Sequence, residues 1–166
     1  MNKLLRLSLA GLALVAGFWL YQRLFPRDED VIRRELQQLA ATASVRPGDS
    51  TLIRLGGSNK LVQSVTADVV LNLSDTGTYF SSIQGRDQLR ETLMAARASV
   101  QQVEIEFVDV TVGVAPDRLS ANALLTVIVH LNGERNSNVM EVRMDLSKVE
   151  GDWLISRVET VKPLRR

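Results

Sequence analysis

The chain has 166 residues, 45% hydrophobic and 23% charged, enough for one globular domain with its own core plus one appendage. Of its 20 basic residues, Lys3, Arg6, Arg23 and Arg27 fall in the first 27, where no acid occurs, so the remainder sets 16 basic against 19 acidic residues. That balance argues against a nucleic-acid partner, which needs a concentrated basic face; the absence of cysteine excludes disulfides, thiol nucleophiles and Cys-ligated metals.

Leu7 to Gln22 is an uninterrupted uncharged run between Arg6 and Arg23. With both arginines snorkelling outward, residues 4–25 reach ~33 Å as a helix, enough to cross a hydrocarbon core of ~30 Å. Trp19 and Tyr21 suit an interfacial aromatic belt, and Pro26 followed by Asp28, Glu29 and Asp30 marks the exit into water. Residues 1–27 therefore read as a single transmembrane anchor and 28–166 as the folded domain. The rival reading is a cleaved signal peptide with an apolar core of Leu7 to Val15, and Val15 and Gly17 as the cleavage pair. The short basic N-terminal tail places the N-terminus in the cytoplasm and the domain outside it, in the periplasm for a Gram-negative bacterium.

Past the anchor, Asp28, Glu29 and Asp30 open a helix in which Ile32, Leu36, Leu39, Ala40 and Ala43 recur at helical spacing. Arg46-Pro47-Gly48-Asp49 ends it as a turn. Two short helical pieces follow, Ser50 to Leu55 and Ser58 to Val65, separated by Gly56 and Gly57 as helix breakers. Asp68 to Ser74 and Thr78 to Gln84 then form a short hairpin. Gly85-Arg86-Asp87 opens a third helix with Leu89, Leu93, Ala96, Arg97 and Val100 on one face, Arg97 snorkelling at the sheet's edge.

Val103 to Val161 reads as four long strands in one curved antiparallel sheet. The apolar positions are odd at Val103, Ile105 and Phe107 but even at Val108, Val110, Val112 and Val114. A period-two pattern changes parity only by gaining a residue, so a β-bulge is predicted near Phe107-Val108. Odd positions from Leu119 to Leu131, and Met140, Val142, Met144 and Leu146, define the core face. The last strand is ambiguous, because Trp153 and Ile155 share parity with Arg157 and Glu159.

Helices, a short hairpin, Ile-x-Gly-Arg-Asp-x-Leu (Ile83, Gly85, Arg86, Asp87, Leu89) and long strands ending in Gly-Asp-Trp-Leu-Ile (Gly151 to Ile155) resemble the nuclear transport factor 2-like (SnoaL-like) superfamily over roughly residues 31–161. The resemblance implies a cone-shaped α+β fold, shared with polyketide cyclases and ketosteroid isomerase, in which about three helices cover the sheet. It also implies that an enzyme of this type carries a general base, Asp or His, with a Tyr or acid donor inside the cone. One span followed by such a domain also resembles inner-membrane assembly components of type IV secretion systems.

A base inside the cone has to interrupt the apolar face of the sheet, and here no carboxylate or histidine does. No catalytic residue and no cofactor are therefore assigned, and a single histidine, His130, leaves no multi-His metal site. Asp68, Tyr79, Phe107, Met140 and Met144 are the ligand-pocket candidates, should the cone take a small apolar ligand. Leu124, Ile128, Glu141 and Arg143, outward by parity, are the interface candidates for a protein partner or a second copy. The expected function is that of a membrane-tethered, non-catalytic binding or assembly domain; the alternatives are the apolar-ligand binder and a cyclase- or isomerase-like enzyme, the latter needing Asp68, Asp109 or Glu104 inside the cone.

Overall fold

The computed structural model describes residues 27–73, 82–132 and 137–161. The apolar N-terminal run and Tyr79 lie outside them, and no helix among the described residues is long and apolar enough to cross a membrane. The element order is α1 (Asp28–Ala43), α2 (Thr51–Gln63), β1 (Val65–Asn72), β2 (Ser82–Gln84), α3 (Gly85–Ser99), β3 (Val103–Val114), β4 (Ser120–Leu131), β5 (Ser137–Val149) and β6 (Asp152–Thr160).

The four long strands form the expected antiparallel meander, but the sheet is larger and mixed, with order β2-β1-β6-β5-β4-β3. β1 joins it by pairing parallel with β6, while β2 pairs antiparallel with β1. The hairpin is therefore part of the main sheet rather than an addition to it.

Along β4, Ala121, Ala123, Leu125 and Val127 are buried, and their partners on β5 include Leu146, Met144 and Val142. Small side chains thus stand beside long ones, and Ile32 and Leu36 of α1 complete the same cluster. Burying a side chain such as Leu36 or Leu125 stabilises the fold by roughly 1.5–3 kcal/mol. Leu119 departs from the pattern. Strand pairing begins at Ser120, and Leu119 belongs to a turn in which Asp117 Oδ1 accepts from the backbone N–H of Leu119 and of Ser120, leaving the leucine exposed.

Two bulges explain the parity breaks. On β3 the register steps from Val108 opposite Thr126 to Thr111 opposite Leu124, one residue too many, and Asp109 takes a left-handed φ of 54°. Ile105 and Phe107 before the bulge, and Val110, Val112 and Val114 after it, all pack on the core. The extra residue lies just beyond the predicted Phe107-Val108 step. On β6, Ile155 faces Leu146 and Arg157 faces Asp145, so Ser156 is the extra residue, its Oγ donating to Asp145 O at 3.1 Å. Trp153 and Ile155 are buried before it; Val158 returns to the core after it, turning Arg157 and Glu159 outward.

α2 is one helix, not two pieces. Ser50 caps it by accepting from Ile53 N, and it runs straight through Gly56 and Gly57. Glycine costs about 1 kcal/mol per helical position relative to alanine, so something offsets it here. That something is Arg97, which is buried at 7% exposure and does not snorkel at an edge. Its guanidinium lies against Gly57, where a Cβ would run into Nη1 and stand 3.1 Å from Cζ.

The Ile83 to Leu89 motif proves structural. Ile83 and Leu89 are buried, Gly85 starts α3 from a φ of 79°, and the Arg86 guanidinium donates to Val65 O, tying the start of α3 to the start of β1.

Candidate functional site

On the concave side of the sheet the described apolar side chains pack into one cluster. Met144 is sealed in the core cluster, and Phe107 and Met140 are half-buried and packed against it. Asp68 is exposed, next to the fully buried Val69. Asp109 and Glu104 are exposed as well, so the three carboxylates that acid–base chemistry would draw on lie outside. Among the described residues no group of three or more acidic or histidine side chains could hold a metal ion.

The convex face is different. Direct cross-strand partners share a face, which puts Leu124 between Thr111 and Arg143, Thr126 between Val108 and Glu141, and Ile128 between Glu106 and Val139. Leu124 is 43% exposed and Val139 61%, with Ile128, directly opposite Val139, half-buried. Arg143 also faces Glu159, which accepts from Arg157 at 3.1 Å. His130 is half-buried on the same face, between Glu104 and Ser137. Val139 was not among the residues expected here. Its parity with Glu141 and Arg143 was the available signal, hidden because it directly follows the polar stretch Glu134 to Asn138.

Three further clusters lie off the sheet faces. At the start of α1, Asp28 Oδ1 accepts from Lys148 Nζ at 2.8 Å and Trp153 Nε1 at 3.3 Å, and Arg118 Nε lies 4.0 Å from Oδ2. The Lys148 hydrogen bond holds this carboxyl below the usual range against the cost of burial; Trp153 and the charges of Lys148 and Arg118 act the same way. At the far end of α1, Arg97 donates to Thr42 O and Arg54 O, while Arg54 donates to Arg97 O at 2.8 Å and Val100 O at 2.9 Å. The ends of α1 and α3 and the middle of α2 are thus fastened by two guanidiniums on backbone carbonyls. Burial lowers the Arg97 pKa, Asp49 opposes that, and Arg54 adds to it. Between these ends runs a groove of about 600 Å³ lined by Glu35, Leu39, Lys60, Asp152, Trp153 and Leu154 among others. Burial, with help from Asp152 and against Arg34, pushes the Glu35 carboxyl up.

No protein-family model and no curated protein matches the chain. Solved structures do. A nuclear transport factor 2-like protein of unknown function from Pseudomonas putida superposes with a TM-score of 0.60 at 12% identity, covering 82% of this chain and 89% of that one. A candidate scytalone dehydratase from Novosphingobium aromaticivorans gives 0.58 at 16% identity, covering 79% and 82%. A nuclear transport factor 2-like protein with a cystatin-like fold from the same organism gives 0.55 at 19% identity, covering 89% and 86%. The domain has the nuclear transport factor 2-like, cystatin-like α+β fold. At such identities the likeness carries the fold and no activity.

Proposed function

We propose that this chain is a membrane-tethered, non-catalytic binding domain that works through the convex face of its sheet, and that its first partner there is a second copy of itself. The observation that carries the reading is the contrast between the two faces. The described apolar side chains of the concave face pack into one cluster, while the convex face presents Leu124, Ile128 and Val139 on either side of the Thr126–Glu141 row, with Arg143 beside Leu124.

Self-pairing follows from the charge order along β5. A two-fold axis crossing the strands between the Thr126–Glu141 and Leu124–Arg143 rows lays Glu141 of one copy over Arg143 of the other, and the reverse. Leu124 of each copy then covers Thr126 of the other, and two Glu141–Arg143 pairs flank the axis. Residues 4–25 supply the tether, which raises the local concentration of copies within a membrane.

Sedimentation of the full chain in detergent tests this. The expected result is a dimer that Glu141→Arg dissociates and Glu141→Arg/Arg143→Glu restores. A chain that is monomeric throughout, or a double variant no better than the single, sinks the reading.

A further inference from the structure

One end of the domain gathers features that the convex face does not use. The turn between β3 and β4 and the turn between β5 and β6 both converge on the first residue of α1, since Asp28 engages Arg118, Lys148 and Trp153. The two turns are also joined directly, Lys148 N donating to Leu119 O at 2.8 Å. Each is a fixed tip: Arg118 and Glu150 take left-handed φ angles of 56° and 54°, and Asp117 caps the first. These braced tips hold Leu119 at 61% exposure and Val149 at 43%. A cleft of about 470 Å³ beside them is lined by Val112, Val114, Arg27, Arg33 and Arg118, with Asp28, Glu29 and Asp30.

Arg27, the first described residue, belongs to this same end. Only residues 23–26 separate it from the uncharged run Leu7 to Gln22, and a stretch that short reaches at most ~18 Å. Wherever the run is held, this end of the domain is held next to it. α2, with Leu52 exposed, begins beyond the other end of α1, ~24 Å of helix away.

We propose that this end of the domain rests on the lipid surface from which the run emerges, with Leu119 and Val149 entering the headgroup layer. The inference depends on residues 4–25 being a tether. Charge selects the kind of surface. Arg27, Arg33, Arg118 and Lys148 are outnumbered locally by Asp28, Glu29, Asp30, Asp117, Glu150 and Asp152, so the face has no polybasic attraction for anionic lipid. It suits a zwitterionic interface, reached because the tether delivers it there and held by the two apolar tips.

The absence of cysteine makes the test clean. Full-length chain carrying Leu119→Cys, labelled with an environment-sensitive fluorophore, is reconstituted into phosphatidylcholine vesicles beside a Leu52→Cys control and a Val149→Cys second probe. The expected result is that the Leu119 and Val149 probes shift to the blue, lose at least half of their quenching by aqueous iodide and gain quenching by spin-labelled lipid, while the Leu52 probe does none of this. A chain that floats with the vesicles but leaves the Leu119 probe as iodide-accessible as the Leu52 probe overturns the lipid contact and leaves the tether standing. A chain that does not float overturns both.

Discussion

α1 is fastened at its two ends by opposite charges, each of the sign its helix dipole favours there. At the N-terminal end an acid, Asp28, meets two cations and an indole at the edge of solvent. At the C-terminal end a buried cation, Arg97, gives its hydrogen bonds to the backbone carbonyls of Thr42 and Arg54. The first arrangement is ionic on both sides, so it can be undone by a proton. The second pairs a charge that never titrates with dipoles that cannot move, so only geometry can undo it.

Breaking the buried end costs most. Arg97→Met leaves Thr42 O and Arg54 O without their charged donor and loosens the junction of three helices, an expected loss of about 3 kcal/mol in urea unfolding, with no dependence on pH between 5 and 8. The neighbouring glycines then sharpen the point. Gly57→Ala forces the guanidinium out of its place and loses about 2 kcal/mol, whereas Gly56→Ala, whose Cβ meets nothing within 4 Å, gains up to about 1 kcal/mol from helix propensity. Equal effects at the two positions would show that Gly57 is not there for Arg97.

The solvent-side end gives the smaller, pH-dependent effects. Because the Asp28 pKa is lowered on folding, its contribution is present above the unfolded value of about 3.9 and is lost as pH falls through the folded one. Asp28→Asn is therefore expected to lose about 1–2 kcal/mol at pH 7, the gap to the parent chain closing below about pH 4. Glu35, with its pKa raised, has the opposite sign: its charge costs stability at neutral pH, and the cost disappears as pH falls past its folded value toward about 4.3. Glu35→Gln is expected to gain ~0.5 kcal/mol at pH 7 and nothing below about pH 4, in stability measured across that range.

Much of the sheet was legible because one of its faces is buried and the pleat has a period of two. Ala121 to Val127 and Val142 to Leu146 follow that period, and the break at Phe107-Val108 announced the β3 bulge. The β6 bulge was visible as a conflict of parity, but nothing local said that Ser156 resolves it. The parallel pairing of β1 with β6 left no trace, since a short buried strand reads the same whichever neighbour it has. Gly56-Gly57 misled for a related reason: a glycine pair is locally a helix breaker, and the side chain that makes Gly57 necessary arrives with α3. At the candidate interface, parity put Leu124, Ile128, Glu141 and Arg143 on the convex side, where the register also places Val139. Asp68 was drawn toward a pocket by its closeness to the hairpin, yet alternation with Val69 turns it to solvent.

The position of β6 inside the sheet has a consequence for how the chain is made. β1 emerges from the ribosome early, but its long neighbour is the last described strand, with Val65 waiting for Ile155. At ordinary elongation rates that wait is roughly 5–20 s. Meanwhile β3, β4 and β5 can zip together through local turns, while β1 and β5 each keep an unsatisfied edge open to other chains. A ribosome stalled before residue 152 would release two half-sheets with sticky margins rather than a slightly shortened domain.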